Sequence, residues 1–147
     1  MTPPRASLIL RANSWDRALE IGDIRADAEA RYRRRVRCVT TQGLEFLLDL
    51  PRLQRLEDGD GLLLDDGRVV RVIAEAEALL HITAFDDHAL TRIAWHLGNR
   101  HTPVQFLRHA LRVRVEPTTA DLIDRLGGDA EEVLAAFDPE AGAYVHG

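Results

Sequence analysis

Two hydrophobic periodicities divide the chain. From "ASLILRA" to "RVVRVIA" the apolar residues fall in short β segments bounded by turn residues: "RVRCVTT", "LEFLLDLP", "LLLDDG" and "RVVRVIA", with Gly43 and "EDGDG" as punctuation. Asp65-Asp66-Gly67, between "LLL" and "RVVRV", predicts a hairpin, because Asp-Gly tolerates the positive φ of a tight turn. Pro51 is expected to end the central strand, since proline donates nothing to a ladder. After a further strand, "ALLHITA", the spacing changes. Leu90, Ile93, Ala94 and Leu97 fall at i, i+3, i+4 and i+7, which predicts an amphipathic helix. Asp86 and Asp87 suit its N-terminus, and Gly98 or Asn99 its left-handed C-terminal position. "VQFL" and "ALRVRV" read as strands around Arg108 and His109. "PTTADLIDRLGG" reads as a second helix with Thr118 or Thr119 as N-cap, Leu122, Ile123 and Leu126 facing inward, and Gly127-Gly128 as its stop. "EEVLAAF" closes the series as a strand.

The second half thus has the order β-α-β-β-α-β, the split, ferredoxin-like arrangement. The expected fold class is α+β: a small all-β unit over residues 1–75, a ferredoxin-like (βαββαβ) unit over 76–138, and a flexible tail over 139–147. The boundary is placed near residues 74–78, where "AEAEA" breaks the strand pattern.

Charge and composition exclude several classes of function. The chain has 147 residues, no lysine and one cysteine, Cys38, so lysine chemistry, an internal disulfide and a cysteine-based zinc cluster are all out of reach within one chain. Residues 1–75 carry 13 Arg against 13 Asp and Glu, whereas residues 76–147 carry 6 against 11. The acidic second half repels polyanions, and nucleic acid is not an expected partner. The basic run "RYRRRVR" reads as a solvated strand face with Arg33, Arg35 and Arg37 on one side, because no aromatic stacking set accompanies it. No apolar run is long enough to span a bilayer, and "MTPPRASLIL" lacks the pattern of a signal peptide, so a cytoplasmic protein without membrane contact is expected. Enzymatic readings find no support either. "LGGDAEE" lacks the Lys-Ser/Thr of a phosphate-cradling loop, and no serine or cysteine sits in a nucleophile elbow.

Histidine is what remains. Five of the six, His81, His88, His96, His101 and His109, lie within 29 residues, and His146 is next to the end. None forms the i, i+4 pair that places two helical ligands on one metal, so a complete intrachain site is not expected. One economical arrangement is a twofold dimer whose axis brings His101 against its own copy, giving two imidazoles from one residue. Such a site, with few fixed ligands, suits Ni2+, Cu2+ or Zn2+ and favours reversible delivery over storage.

The segment "AWHLGNRHTPVQF", residues 94–106, resembles the signature of the urease accessory protein UreE family, and "LDLPR", "LEDGDGLLLDDGRVVRV" and "FDPEAGAY" match the family's pattern in the same order. The resemblance implies a nickel metallochaperone that is not an enzyme. It implies an N-terminal β domain that binds a peptide or partner, and a ferredoxin-like domain that dimerises and holds Ni2+, with Zn2+ or Cu2+ able to bind in vitro. The implied partners are a second copy, the urease accessory GTPase and the urease apoprotein complex. By resemblance, His101 is the histidine whose two copies meet on nickel, His96 matches the first histidine of the signature and is a possible secondary ligand, and His146 is the auxiliary ligand. This chain lacks the histidine-rich tail and the Asp-His segment after the "LRVRV" strand that many members carry, which implies fewer nickel ions per dimer. The alternative is a protein-interaction module whose metal binding is vestigial or general.

The other residues have plainer readings. His81 is expected to be packed or hydrogen-bonded in its strand, His88 and His109 to be solvated, and the His96 ring to interact with the last helical carbonyls. Trp15 and Trp95 are expected to be packing residues, and Cys38 a small buried apolar one.

Overall fold

The computed structural model describes residues 2–140. Its contacts separate two compact units, one ending at Glu75 and the other beginning at Ala76.

The first unit is a six-stranded sheet built from β1 (Arg5–Leu10), β2 (Glu20–Ala26), β3 (Tyr32–Val39), β4 (Glu45–Arg55), β5 (Gly61–Leu64) and β6 (Val69–Ala74). The spatial order is β2-β6-β5-β1-β4-β3, with β1/β4 and β2/β6 parallel and the other pairs antiparallel. Alternation along β4 explains the core: Phe46, Leu48 and Leu50 point inward against Ala6, Leu62, Leu64, Val70 and Val72. The hairpin at Asp65-Asp66-Gly67 forms as expected. Gly67 takes φ 90° and Asp66 Oδ1 accepts from the Arg68 amide.

Pro51 does not end its strand. β4 continues to Arg55, and the register jumps from Arg35↔Asp49 to Arg33↔Gln54. Leu50, Pro51, Arg52 and Leu53 therefore face Arg34 alone in a wide bulge, where the missing proline N–H breaks no ladder bond.

Arg31, the first residue of the basic run, is fully buried. Its Nε donates to the Ala26 carbonyl at 3.1 Å and its Nη1 to the Leu56 carbonyl at 3.0 Å. At the other end of β3, the Thr41 amide donates to the Asp23 carbonyl. The two edge strands of the sheet are thus tied to each other at both ends of β3. Asp23 takes part in the same junction. A hydrogen bond from the Thr41 hydroxyl holds its carboxyl below the usual aspartate range.

The second unit is a four-stranded antiparallel sheet of β7 (Ala76–Thr83), β8 (Gln105–Leu107), β9 (Ala110–Arg114) and β10 (Asp129–Ala136), in the order β10-β7-β9-β8. With α1 (Asp87–Asn99) after β7 and α2 (Pro117–Arg125) after β9, this is the ferredoxin-like topology. Leu80, Ile82, Leu111 and Val113 of the sheet pack against Ile93 and Leu97 of α1 and Ile123 of α2. Asp86 caps α1, its Oδ1 accepting from the Ala89 amide at 2.8 Å.

The start of α2 differs from expectation. Glu116 is the N-cap, without a side-chain bond, and Pro117 is the first helical residue. Proline fits there because its fixed φ is helical and the N–H it lacks has no partner in a first turn. Thr119 lies inside the helix, 1% exposed.

Gly127, at φ 78°, ends α2 as expected, while Gly128 serves packing. A Cβ there would stand 2.7 Å from Ile93 Cδ1 and 2.9 Å from Ile123 Cγ2, one on each helix. Gly128→Ala should therefore cost about 1–3 kcal/mol by overpacking. A thermal melt should show a clear drop, and an unchanged midpoint would mean the helices can part without strain.

Past β10 the chain turns across the face of the sheet that the helices leave open. Phe137 is fully buried, with the Arg114 guanidinium 5.1 Å from its ring centre. The Asp138 amide donates to Gln105 Oε1, and the Glu140 amide donates to the Val104 carbonyl at 2.8 Å. Residues 137–140 therefore form a strap from the β10 edge to the β8 edge. Pro139 and Glu140, placed in the tail by the sequence pattern, are docked on the unit.

Candidate metal centre

The segment "HLGNRH" forms the end of α1. The Arg100 amide donates to the carbonyls of His96 and Leu97, the His101 amide to Gly98 and the Thr102 amide to Leu97. These last two bonds, with a left-handed residue between them, make a Schellman motif. The left-handed residue is His101, at φ 58°, and neither Gly98 nor Asn99 as the sequence suggests. Pro103, two residues past that position, was the available signal: proline commonly follows such a cap.

Left-handed backbone at a residue with a side chain costs on the order of 1–3 kcal/mol and concentrates at functional sites. Here the residue is an exposed histidine at the helix end. His96 sits half-buried in the last turn, with its ring edge-on to Trp95 at 5.0 Å. Its ring has no hydrogen-bond partner among the described residues, and the last carbonyls are met by backbone amides instead. Trp95 is 64% exposed and is not the packing residue expected.

The remaining histidines lie apart from this end. His81 Nδ1 accepts from Arg112 Nε at 3.1 Å, as its strand position suggested. His109, at φ 61° in the β8–β9 turn, is not simply solvated: its Nδ1 lies 3.1 Å from Asp87 Oδ1. His88 is exposed in the first turn of α1. Among the described residues, no three His, Cys, Asp or Glu side chains stand together as a ligand set. His146 lies outside the described residues. Cys38 packs against the β core, and burial pushes its thiol up to about 11, which disfavours the thiolate that metals bind.

Comparison with known proteins fits this division of the chain. Residues 8–75 match the UreE urease accessory protein N-terminal domain, and residues 77–147 match the C-terminal domain of the same family. The chain belongs to the UreE urease accessory protein family. Among its relatives, a urease accessory protein UreE from Bradyrhizobium sp. (strain ORS 278) is 45% identical over 141 residues, 96% of this chain and 67% of that protein. Another, from Rhodopseudomonas palustris (strain HaA2), is 51% identical over 119 residues, 81% of this chain and 55% of that protein. A third, from Ruegeria pomeroyi, is 39% identical over 147 residues, covering all of this chain and 95% of its own length. The family is one of accessory proteins and is not named for catalysis. No helix among the described residues is long and apolar enough to cross a membrane.

Proposed function

We propose that the chain is a nickel carrier of urease maturation. It binds Ni2+ as cargo between two copies of His101 in a twofold dimer and passes it toward the urease apoprotein through the accessory GTPase. The observation that carries this reading is the left-handed, exposed His101 at the Schellman end of α1. A strained backbone is retained there although glycine would fill the position without cost. The exposed Trp95 on the same helix supplies apolar surface for a second copy to cover. One imidazole per chain cannot hold a transition metal alone, and symmetry doubles it. Two imidazoles leave coordination positions open for exchange, which suits delivery.

His146 is the auxiliary ligand in this reading. Glu140 is tied to Val104, three residues from His101, and precedes His146 by six residues. Six residues extend at most about 20 Å, enough to bring that imidazole to the helix end. His96 has a secondary role at most, since its half-buried ring faces Trp95.

The test is His101→Gly, studied by nickel calorimetry and thermal melting. Wild type should bind one Ni2+ per two chains at this site, and the variant should bind at least about 100-fold more weakly, some 2.7 kcal/mol. Its stability should be equal to or up to about 1 kcal/mol above wild type, because the left-handed strain is relieved. Unchanged stoichiometry and affinity in the variant would reject the assignment and leave a protein-interaction module with incidental metal binding.

A further inference from the structure

Apart from Arg31, which is bonded to carbonyls, and Arg55, which lies over Tyr32, the arginines of the first unit fall into two sets. Arg5, Arg11, Arg17, Arg25, Arg68 and Arg71 each pair with a carboxylate. Arg33, Arg34, Arg35 and Arg37 on β3, and Arg52 on the facing bulge of β4, are exposed and have no ion pair among the described residues. Arg35, Arg37 and Val39 share the outward face, because the alternating Val36 and Cys38 pack against the core, and Arg33, exposed beyond the bulge, is the next in this alternating series. Alternate residues on a strand stand about 6.5–7 Å apart, so the guanidinium stems are spaced like alternate side chains of another extended segment. At the Arg37 end, Pro3, Val39, Glu45 and Phe46 line a shallow recess, and Val39 is 59% exposed beside it.

We propose that this face docks an acidic, extended segment of a partner protein. Carboxylates at alternate positions pair with Arg33, Arg35 and Arg37, and an adjoining apolar side chain enters the recess beside Val39. Charge complementarity selects protein carboxylates over nucleic acid for three reasons. The unit as a whole carries 13 Arg against 13 acids, so no long-range field draws a polyanion. Glu45 and Asp49 interrupt the face, opposite Val39 and Arg35. No exposed aromatic offers a stacking platform either, since Arg55 lies over the ring of Tyr32, 5.7 Å from its centre. The segment lies over the face and is not added as a seventh strand, because the chain at both ends of β3 is tied to β2. Nothing in this docking depends on nickel.

Fluorescence anisotropy of the full chain tests it. The probe is a fluorescein-labelled peptide of alternating glutamate and threonine with leucine at each end. At 50 mM NaCl wild type should show weak, saturable binding, since exposed ion pairs contribute about 1 kcal/mol or less each. Affinity should fall at least tenfold in the triple variant Arg33→Glu, Arg35→Glu, Arg37→Glu, and on raising salt to 300 mM. Arg125→Glu, on α2, should bind as wild type does. Circular dichroism checks the fold of each variant, and the triple Arg→Gln version replaces the Glu version should that one unfold. Absence of binding, equal binding by a folded triple variant, or tighter binding of a 20-nucleotide oligo-dT would each overturn the proposal.

Discussion

Arg31→Met should melt the first unit well below wild type, with a loss of about 3 kcal/mol. Methionine keeps the aliphatic stem of the arginine but offers no donor. The carbonyls of Ala26 and Leu56, both served by the guanidinium, would be left without that partner inside the fold. Hydrogen bonds from a charged donor are worth about 1.5–3 kcal/mol each, and the Leu56 carbonyl adds a desolvation cost when its donor is removed, whereas the Ala26 carbonyl keeps the Glu75 amide. Part is returned, because a buried cation is itself costly to hold. For a unit of this size, each kcal/mol corresponds to about 4–8 °C. A loss of 12 °C or more is therefore expected by differential scanning calorimetry. The neighbours Arg33, Arg35 and Arg37, exposed on the same run, should each shift the midpoint by less than about 0.5 kcal/mol when changed to glutamine. A melt of Arg31→Met that matched those neighbours would show that Arg31 does not hold the two sheet edges together.

Phe137→Ala should be at least as damaging to the second unit, costing about 3–5 kcal/mol. Phe137 fills the space between the strap and the sheet, on the face where Glu77, Leu79 and Arg114 lie. Its truncation leaves a cavity and removes the surface on which the Arg114 guanidinium rests. The effect should also be local and directional. The Glu140 amide, bonded to Val104 in the intact protein, should lose hydrogen-exchange protection more than the amides of α1, whose Ile93 and Leu97 pack on the other face. Phe137→Leu should retain most of the stability, at a cost of about 1 kcal/mol. Uniform loss of protection throughout the unit, or none at Glu140, would mean that the strap is not anchored by this ring.

The same strap ties Glu140 to Val104, three residues from His101. The sequence pattern assigned Pro139 and Glu140, the second half of this strap, to a tail. Nothing in "FDPEAGAY" marks a crossing of the sheet by periodicity, because the Phe137 ring and the amides of Asp138 and Glu140 meet partners more than twenty positions away. Trp95 failed as a packing residue for a related reason. Helical spacing gives the face a residue occupies, but only the assembled sheet fixes how wide the covered face is. It reaches Ile93 and Leu97 and stops short of Trp95.

Local rules determined a good deal without any tertiary information. Alternation gave five of the six strands of the first half but not β2, whose Gly22 and Asp23 break the apolar pattern, the i, i+3, i+4 spacing gave α1, and Asp86 and Gly127 gave helix boundaries, because each rests on interactions within a few residues of the chain. The order of elements was enough for the ferredoxin-like topology, since short connections leave few ways to arrange β-α-β-β-α-β. Tertiary structure alone decided that Pro51 lies in a bulge and that one arginine of a basic run is buried while its neighbours are exposed. In each case the outcome is set by which distant backbone groups need a partner. Composition and spacing cannot show that demand until the sheet and helix ends are in place.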